Sequence, residues 1–300
     1  MYVITGATGK TGGVIAEKLL TTGAQVRVVG RDAKRLERFT QKGAEGFVAD
    51  ITDAAALEKA FSGAKAVYAM IPPNNASPDV RAYQEQVTDA LAAAIGKTGT
   101  THVVALTSTG SDKPDKVGPV VGLHNFEEKL KAIAGLNALF VRASYFMDNL
   151  MVQVGIIQSF GMLAGPLRPD LPLSMIAPRD IGAFAADALL NLNFTGKHSQ
   201  ELLGARNVSY DEAATIIGAA IGKPGLSYKQ MPGALIKSGM KQMGMSSNMA
   251  DLLLEMADAQ NSGYMKPLEP RSPINTTPTT LETFVEDTFV PAYRAKAARA

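Results

Sequence analysis

The sequence predicts an α/β fold, with a doubly wound parallel sheet over residues 1–150 and a smaller α/β domain over residues 151–300 that supplies a substrate or partner surface. Short β-branched runs alternate with longer segments of helical spacing from the start of the chain to about residue 142. Apolar residues fill the short runs almost continuously, as strands buried on both faces require. A glycine-rich turn separates the first run from the first helical segment, which is the order of a Rossmann-type nucleotide-binding unit.

The first strand is expected at Tyr2–Thr5 and the first helix at Thr11–Thr22, with Val14, Ile15, Leu19 and Leu20 on its apolar side. Strands at Gln25–Val29, Gly46–Ala49 and Ala66–Ile71 lead in turn to helices at Ala33–Lys42, Asp53–Phe61 and Asp79–Lys97. A fifth strand, His102–Thr107, precedes a helix at Pro119–Ala134, and Ala138–Val141 closes the alternation. Beyond it the pattern is irregular, with proline-punctuated loops at Gly165–Pro172 and Pro267–Pro278, and segments there are free to rejoin the main sheet. Ser209-Tyr210-Asp211-Glu212 is a capping box before Ala213–Ile221, and Gly222 stops that helix. Thr279-Thr280-Leu281-Glu282 repeats the device before a last helix, and the alanine-rich tail from Ala295 is expected to fray.

Composition narrows the function. A formal charge of +2 with scattered basic residues predicts no direct nucleic-acid partner. The absence of cysteine excludes disulfides, thiolate metal sites and a cysteine nucleophile, and a reducing cytoplasm is the expected compartment. The first strand starts at once, which predicts no signal peptide, and no run of about 18 apolar residues offers a membrane span. No spacing of His, Asp and Glu suggests a metal site.

The chemistry starts at Gly6-Ala7-Thr8-Gly9-Lys10-Thr11-Gly12, between a strand and a helix. Glycines there permit a tight turn and close backbone approach to a pyrophosphate, which the helix N-terminus attracts. Sites for NAD end the second strand with an acidic residue on the ribose hydroxyls. Here that strand ends Val28-Val29-Gly30-Arg31, with Lys34 and Arg35 one turn later, which favours the 2′-phosphate of NADP(H) over NAD(H). Asp32 keeps dual specificity open. Asp50-Ile51 follows the third strand, where adenine is often lined, and Asp50 is equally suited to cap the next helix. Met70-Ile71-Pro72-Pro73 faces the glycine loop across the switch point of the sheet.

The glycine loop, Arg31, the block His124-Asn125-Phe126-Glu127-Glu128, the run from Arg142 to Leu150, Pro178-Arg179-Asp180-Ile181-Gly182 and the Ser209 capping box together resemble the NmrA-like group of atypical short-chain dehydrogenases. That group contains NAD(P)H:quinone oxidoreductases, azo-dye and triphenylmethane-dye reductases, and nucleotide-sensing regulators. The resemblance implies that Gly6, Thr8, Gly9, Lys10 and Thr11, together with Gly12, hold the pyrophosphate and that Arg31 holds the 2′-phosphate. It also implies that Met70, Ile71 and Pro72 line the nicotinamide ribose, that Ala143, Ser144, Tyr145 and Phe146 flank the nicotinamide, and that Arg179 reaches the cofactor. Thr107 and Ser108, at the end of the fifth strand, join the cofactor set.

Typical short-chain dehydrogenases donate a proton from a Tyr-x-x-x-Lys pair, and no tyrosine of this chain has a lysine four residues on. Ordinary ketone reduction is therefore disfavoured, because the alkoxide it forms needs a proton. Quinones and dyes make weaker bases and need less acid catalysis, so a small conjugated organic acceptor is the expected substrate. Ser108 and Thr109 are placed to hydrogen-bond a carbonyl. His124 is the one acid candidate, with a loop-orienting bond or a bond to Glu128 as the competing reading. The acceptor pocket is expected between Met70–Pro73, Tyr145–Met147 and the C-terminal domain, with Met240, Met243, Met245, Met249 and Met256 as an adaptable wall. A nucleotide sensor acting through a protein partner, with no turnover, is the second reading, and a homodimer is also open.

Overall fold

The apolar runs of the first half build a parallel sheet because each is joined to the next by a helix long enough to cross over it. The computed structural model describes residues 1–297. The first half runs β1 (Tyr2–Thr5), α1 (Lys10–Thr21), β2 (Val26–Gly30), α2 (Ala33–Thr40), β3 (Glu45–Val48), α3 (Ala54–Phe61), β4 (Ala66–Ala69), α4 (Val80–Thr98), β5 (His102–Ser108), α5 (Val120–Lys131) and β6 (Asn137–Ala143). The second half continues through β7 (Tyr145–Phe146), a 3-10 turn at Met147–Val152, α6 (Gln153–Phe160), β8 (Leu163–Gly165), β9 (Leu173–Ile176), α7 (Pro178–Asn191) and β10 (Lys197–Leu202). It ends with β11 (Asn207–Val208), α8 (Tyr210–Ala220), β12 (Tyr228–Gln230), α9 (Gly233–Gln242), α10 (Ser247–Asn261), α11 (Leu281–Phe284) and α12 (Val290–Ala297), the last two linked by a π turn at Val285–Phe289.

The main sheet has the order β10-β6-β5-β4-β1-β2-β3, all parallel, so the direction of winding reverses between β1 and β4. Ligands of open α/β sheets bind in the crevice at such a reversal, beyond the carboxyl ends of the strands. Leu57, Phe61, Leu91, Phe126 and Phe140 pack α3, α4 and α5 on one face, while Ile15, Leu19, Leu36, Phe39 and Leu189 pack α1, α2 and α7 on the other. A second core forms around Leu150, Ile157, Met175, Ile217 and Phe284, between two small sheets ordered β11-β9-β7 and β12-β8.

The chain leaves the main sheet after Ala143 and comes back to it. Residues Lys197–Leu202 pair with Ala138–Ala143 along their whole length, and α7 lies against α1. Gly182 makes that contact close, since a Cβ there would stand 2.7 Å from Val14. A single cut at residue 150 does not divide these layers.

Element ends shift for local reasons. β4 stops at Ala69 rather than Ile71, because Pro72 and Pro73 have no N–H to give to a ladder. Asp53, not Asp50, caps α3 by accepting from Ala55 and Ala56, while Asp50 accepts from the Thr52 N–H and hydroxyl just ahead of it. Ser209 caps α8 as expected, but Thr280 rather than Thr279 caps α11. Thr279 is instead buried, giving its N–H and hydroxyl to Asp180. Residues Ala295–Ala297, where fraying was expected, are helical, and the rest of the alanine-rich tail lies outside the described residues.

Candidate functional site

The glycine loop is clamped by its own backbone. Gly6 has φ of +62°, in the left-handed region that glycine enters freely, and a Cβ on it would come within 2.8 Å of the Met70 sulfur. Gly9 N–H donates to the Gly6 carbonyl at 2.9 Å and Gly9 caps α1, leaving first-turn N–H groups without a capping side chain. At Gly12 a Cβ would stand 2.4 Å from the Gly6 oxygen, so only glycine lets the helix start this close to the turn. These are the features of a pyrophosphate cradle that a side chain would fill. Thr8, Gly9 and Lys10 reach the surface of the loop, and Lys10 pairs with Asp148 in the turn after β7. The Thr11 hydroxyl does not face a phosphate: it is shared with the buried phenol of Tyr68 at 3.0 Å, leaving the Thr11 backbone N–H as its contribution.

Beyond β2, Arg31, Lys34 and Arg35 are exposed and form no ion pair among the described residues. Asp32 caps α2, its Oδ1 accepting from the Lys34 N–H at 2.9 Å. Asp50 is held below the usual carboxylate range, first by the Thr52 hydrogen bonds and then by the Arg31 charge. Arg38 escaped the sequence reading. Its guanidinium donates to the Ala7 carbonyl at 3.3 Å and rests on Gly13, where a Cβ would meet it at 2.9 Å. Its spacing three residues after Arg35 was the available signal.

A cavity of ≈ 280 Å³ opens beyond the carboxyl ends of β5 and β6, lined by Ser108, Thr109, Ser144, Tyr145, Phe146 and Asn149 and closed by Leu171–Ser174 and residues after α10. Position along the strands decides which predicted residues reach it: the lining starts at Ser108, the last residue of β5, and at Ser144, the first beyond β6. Thr107 points away and donates to Glu127 at 2.9 Å, and Ala143 is fully buried in the sheet core, so neither presents a side chain to the cavity. Thr109 Oγ1 and Ser144 Oγ are buried at the cavity wall without a hydrogen-bond partner, a state that buried polar groups rarely keep. Phe146 supplies a flat apolar wall, and Tyr145 shares its phenol with Tyr210 at 2.8 Å, with burial pushing both phenols up. Of the five methionines expected as a wall, Met256 lines the cavity, while Met249 packs on Val80.

Two expected residues lie elsewhere. His124 is half-buried on α5 with Nδ1 2.9 Å from the Ser111 carbonyl, outside the cavity lining, and Glu128 is bonded to Lys131 rather than to it. Arg179 gives Nε to Thr279 and Nη1 to Asp287 at 2.9 and 3.0 Å, tying the start of α7 to the C-terminal segment. Among the described residues no cluster of His, Cys, Asp and Glu could hold a metal ion, and no helix is long and apolar enough to cross a membrane.

One buried carboxylate sets the cavity rim. Glu201 Oε2, at the end of β10, accepts from the Leu268 and Glu269 N–H groups at 2.9 Å each, while Oε1 has no partner. Burial raises its pKa, so the folded protein keeps a proton that the unfolded chain releases, and stability is lost as pH rises from the ordinary carboxylate range through that raised value. Glu201→Gln is therefore expected to melt higher than the wild type at neutral pH. The gain should vanish below about pH 4, where both states are protonated. Melting temperatures that track each other across the whole range would rule out burial as the cause.

The fold and site invite comparison with known proteins. A reductase of Streptomyces griseus, named for (4-alkanoyl-5-oxo-2,5-dihydrofuran-3-yl)methyl phosphate, is 30% identical over 226 residues, covering 75% of each chain. The crystal structure of an NADPH-dependent quinone oxidoreductase of Escherichia coli, complexed with NADPH, superposes with a TM-score of 0.80 at 22% identity, covering 96% of this chain and all of the other. A triphenylmethane reductase of Citrobacter, complexed with NADP(H), gives a TM-score of 0.77 at 18% identity over 94% and 98% of the two chains. Residues 2–285 match the model of the NmrA-like family, and the chain belongs to that family.

Proposed function

We propose that this chain is an NADP(H)-dependent reductase that passes hydride to a flat conjugated acceptor, such as a quinone or an unsaturated ketone. The observation that carries the reading is the cavity next to the glycine loop, whose wall holds two buried hydroxyls with nothing to bond. Its lining residue Asn149 directly follows Asp148, the partner of the loop's Lys10. The Gly6–Gly12 cradle would hold the pyrophosphate of NADP(H), Arg31 with Lys34 and Arg35 its 2′-phosphate, and Met70 and Phe146 the nicotinamide side. When bound, the dihydronicotinamide supplies the hydride.

The chain's own residues position and neutralise. Phe146 and the apolar wall orient a planar acceptor and exclude water. As hydride reaches a ring or alkene carbon, the displaced electron pair moves to the conjugated carbonyl oxygen. Thr109 and Ser144 hydroxyls would donate to that oxygen. The phenolate or enolate formed is a weak base, so water can protonate it without a Tyr-x-x-x-Lys pair. His124 bonds a loop carbonyl and is assigned no step. The relatives support this class: the compound in the Streptomyces griseus enzyme's name has a ring double bond conjugated with two carbonyls, and the Escherichia coli enzyme is named for a quinone. An open cavity favours turnover over a sensor that only holds nucleotide.

Purified protein is expected to oxidise NADPH, followed by its near-ultraviolet absorbance, with a neutral naphthoquinone or an alkanoyl butenolide. Arg31→Ala should weaken NADPH binding about tenfold in calorimetry and change NADH binding little, because a charge-assisted phosphate contact is lost. Tight NADPH binding with no acceptor turned over would sink the reductase in favour of the sensor.

A further inference from the structure

The geometry points to an acceptor that carries a negative charge, with Lys266 as the residue that reads it. This rests on the cavity being the acceptor site. Lys266 is the one charged residue among those lining the cavity, which include no carboxylate. It forms no ion pair among the described residues and is exposed, so it stands at the mouth while Thr109 and Ser144, each 6% exposed, lie at the inner wall. Phe146, Leu171, Leu173 and Met256 line the apolar stretch.

The segment carrying Lys266 is fixed on both sides. Met265 N–H donates to the Ala259 carbonyl at 2.9 Å and its side chain packs over Gly110, where a Cβ would meet it at 2.9 Å. Two residues later the Leu268 and Glu269 N–H groups are tied to Glu201. The ammonium is thus presented at a defined place on the rim. A ligand matching this order has an oxygen at its inner end, a flat apolar body, and a carboxylate or phosphate at its outer end. A cationic dye would meet the wrong sign of charge.

The test is calorimetric binding to the NADP⁺-loaded protein of paired probes: 2-naphthoate against the isosteric 2-naphthamide, and naphthyl phosphate against its neutral methyl ester, dimethyl naphthyl phosphate, so that carboxylate and phosphate are read separately. The wild type is expected to prefer the anion of at least one pair. Lys266→Gln should shrink that preference about fivefold, the size of a partly exposed ion pair, and Lys266→Glu should reverse it. Added salt should erode the preference in the wild type and the reversed preference in Lys266→Glu, and change Lys266→Gln least. An unchanged preference in Lys266→Gln, or no preference in the wild type, would overturn the assignment even if neutral quinones are reduced. A Lys266-dependent preference in a protein that reduces no acceptor would uphold the anion site and refute the reductase.

Discussion

Arg142→Met is expected to lower the stability of the protein by about 3–5 kcal/mol, the usual penalty for leaving one member of a buried ion pair alone. Glu127 is completely buried on α5 and Arg142 nearly so on β6. The guanidinium grips both carboxylate oxygens, Nε at 2.9 Å and Nη2 at 2.6 Å, and Thr107 adds a third donor. Removal of Arg142 leaves the carboxylate with the Thr107 hydroxyl and a Lys131 ammonium 3.4 Å away, and too little water to replace what was lost. A melting temperature lower by roughly 5–8 °C should follow. The double variant Glu127→Met with Arg142→Met should recover much of the loss, because two apolar chains leave no buried charge behind. Additive losses in that cycle would show that the pair is not coupled.

The pair also reaches the cavity. Thr107 and Arg142 are the residues just before Ser108 and Ala143, so the same clamp sets where Thr109 and Ser144 emerge. Arg142→Met should therefore raise KM for acceptor in whatever fraction remains folded, while NADPH affinity, set at the far side of β1, changes less.

The legible parts of this chain are those whose cause is local. β1, β2, β4, β5 and β6 and their helices show in the sequence because burial on both faces needs apolar runs, and helices need their period, whereas β3 is an exposed edge strand that shows through its place in the alternation. β10 does not: Lys197-His198-Ser199-Gln200-Glu201-Leu202 is a polar edge strand with exposed outer residues, and only its pairing with β6 makes it a strand. β7, β11 and β12 are two or three residues long, too short for any period to register.

The site divides in the same way. The glycine loop was readable because a left-handed turn and a close helix start demand glycine wherever they occur. Thr107 and Ala143, named for the cofactor set, keep their side chains in the interior because β5 and β6 run on to Ser108 and Ala143, and the motif does not state where the strands end. Lys266 owes its place to the segment tied to Glu201, distant in sequence, so nothing beside it in the chain announces its role, and Arg38 shows only its spacing from Arg35, not its contact with Ala7.

Gly12→Ala should weaken NADPH binding on the order of 100-fold, because a displaced cradle misaligns several N–H donors at once. The Cβ would stand 2.4 Å from the Gly6 oxygen and 2.8 Å from its carbonyl carbon, both backbone atoms of a turn whose φ only glycine adopts easily. Neither can yield alone: moving Gly6 drives it toward the Met70 sulfur, and moving the helix start strains Gly9 against the same carbonyl. The neighbouring Gly13→Ala is the control. Its Cβ would chiefly meet the tip of Arg38 at 2.9 Å, a flexible side chain that can swing away, although the Ala7 oxygen at 3.3 Å leaves little slack. Calorimetry on the two variants should separate them by at least tenfold in NADPH affinity, with overpacking lowering the stability of Gly12→Ala by about 1–3 kcal/mol. Wild-type affinity in Gly12→Ala would mean that the phosphates are held somewhere other than this loop, and the cofactor reading would fall with it.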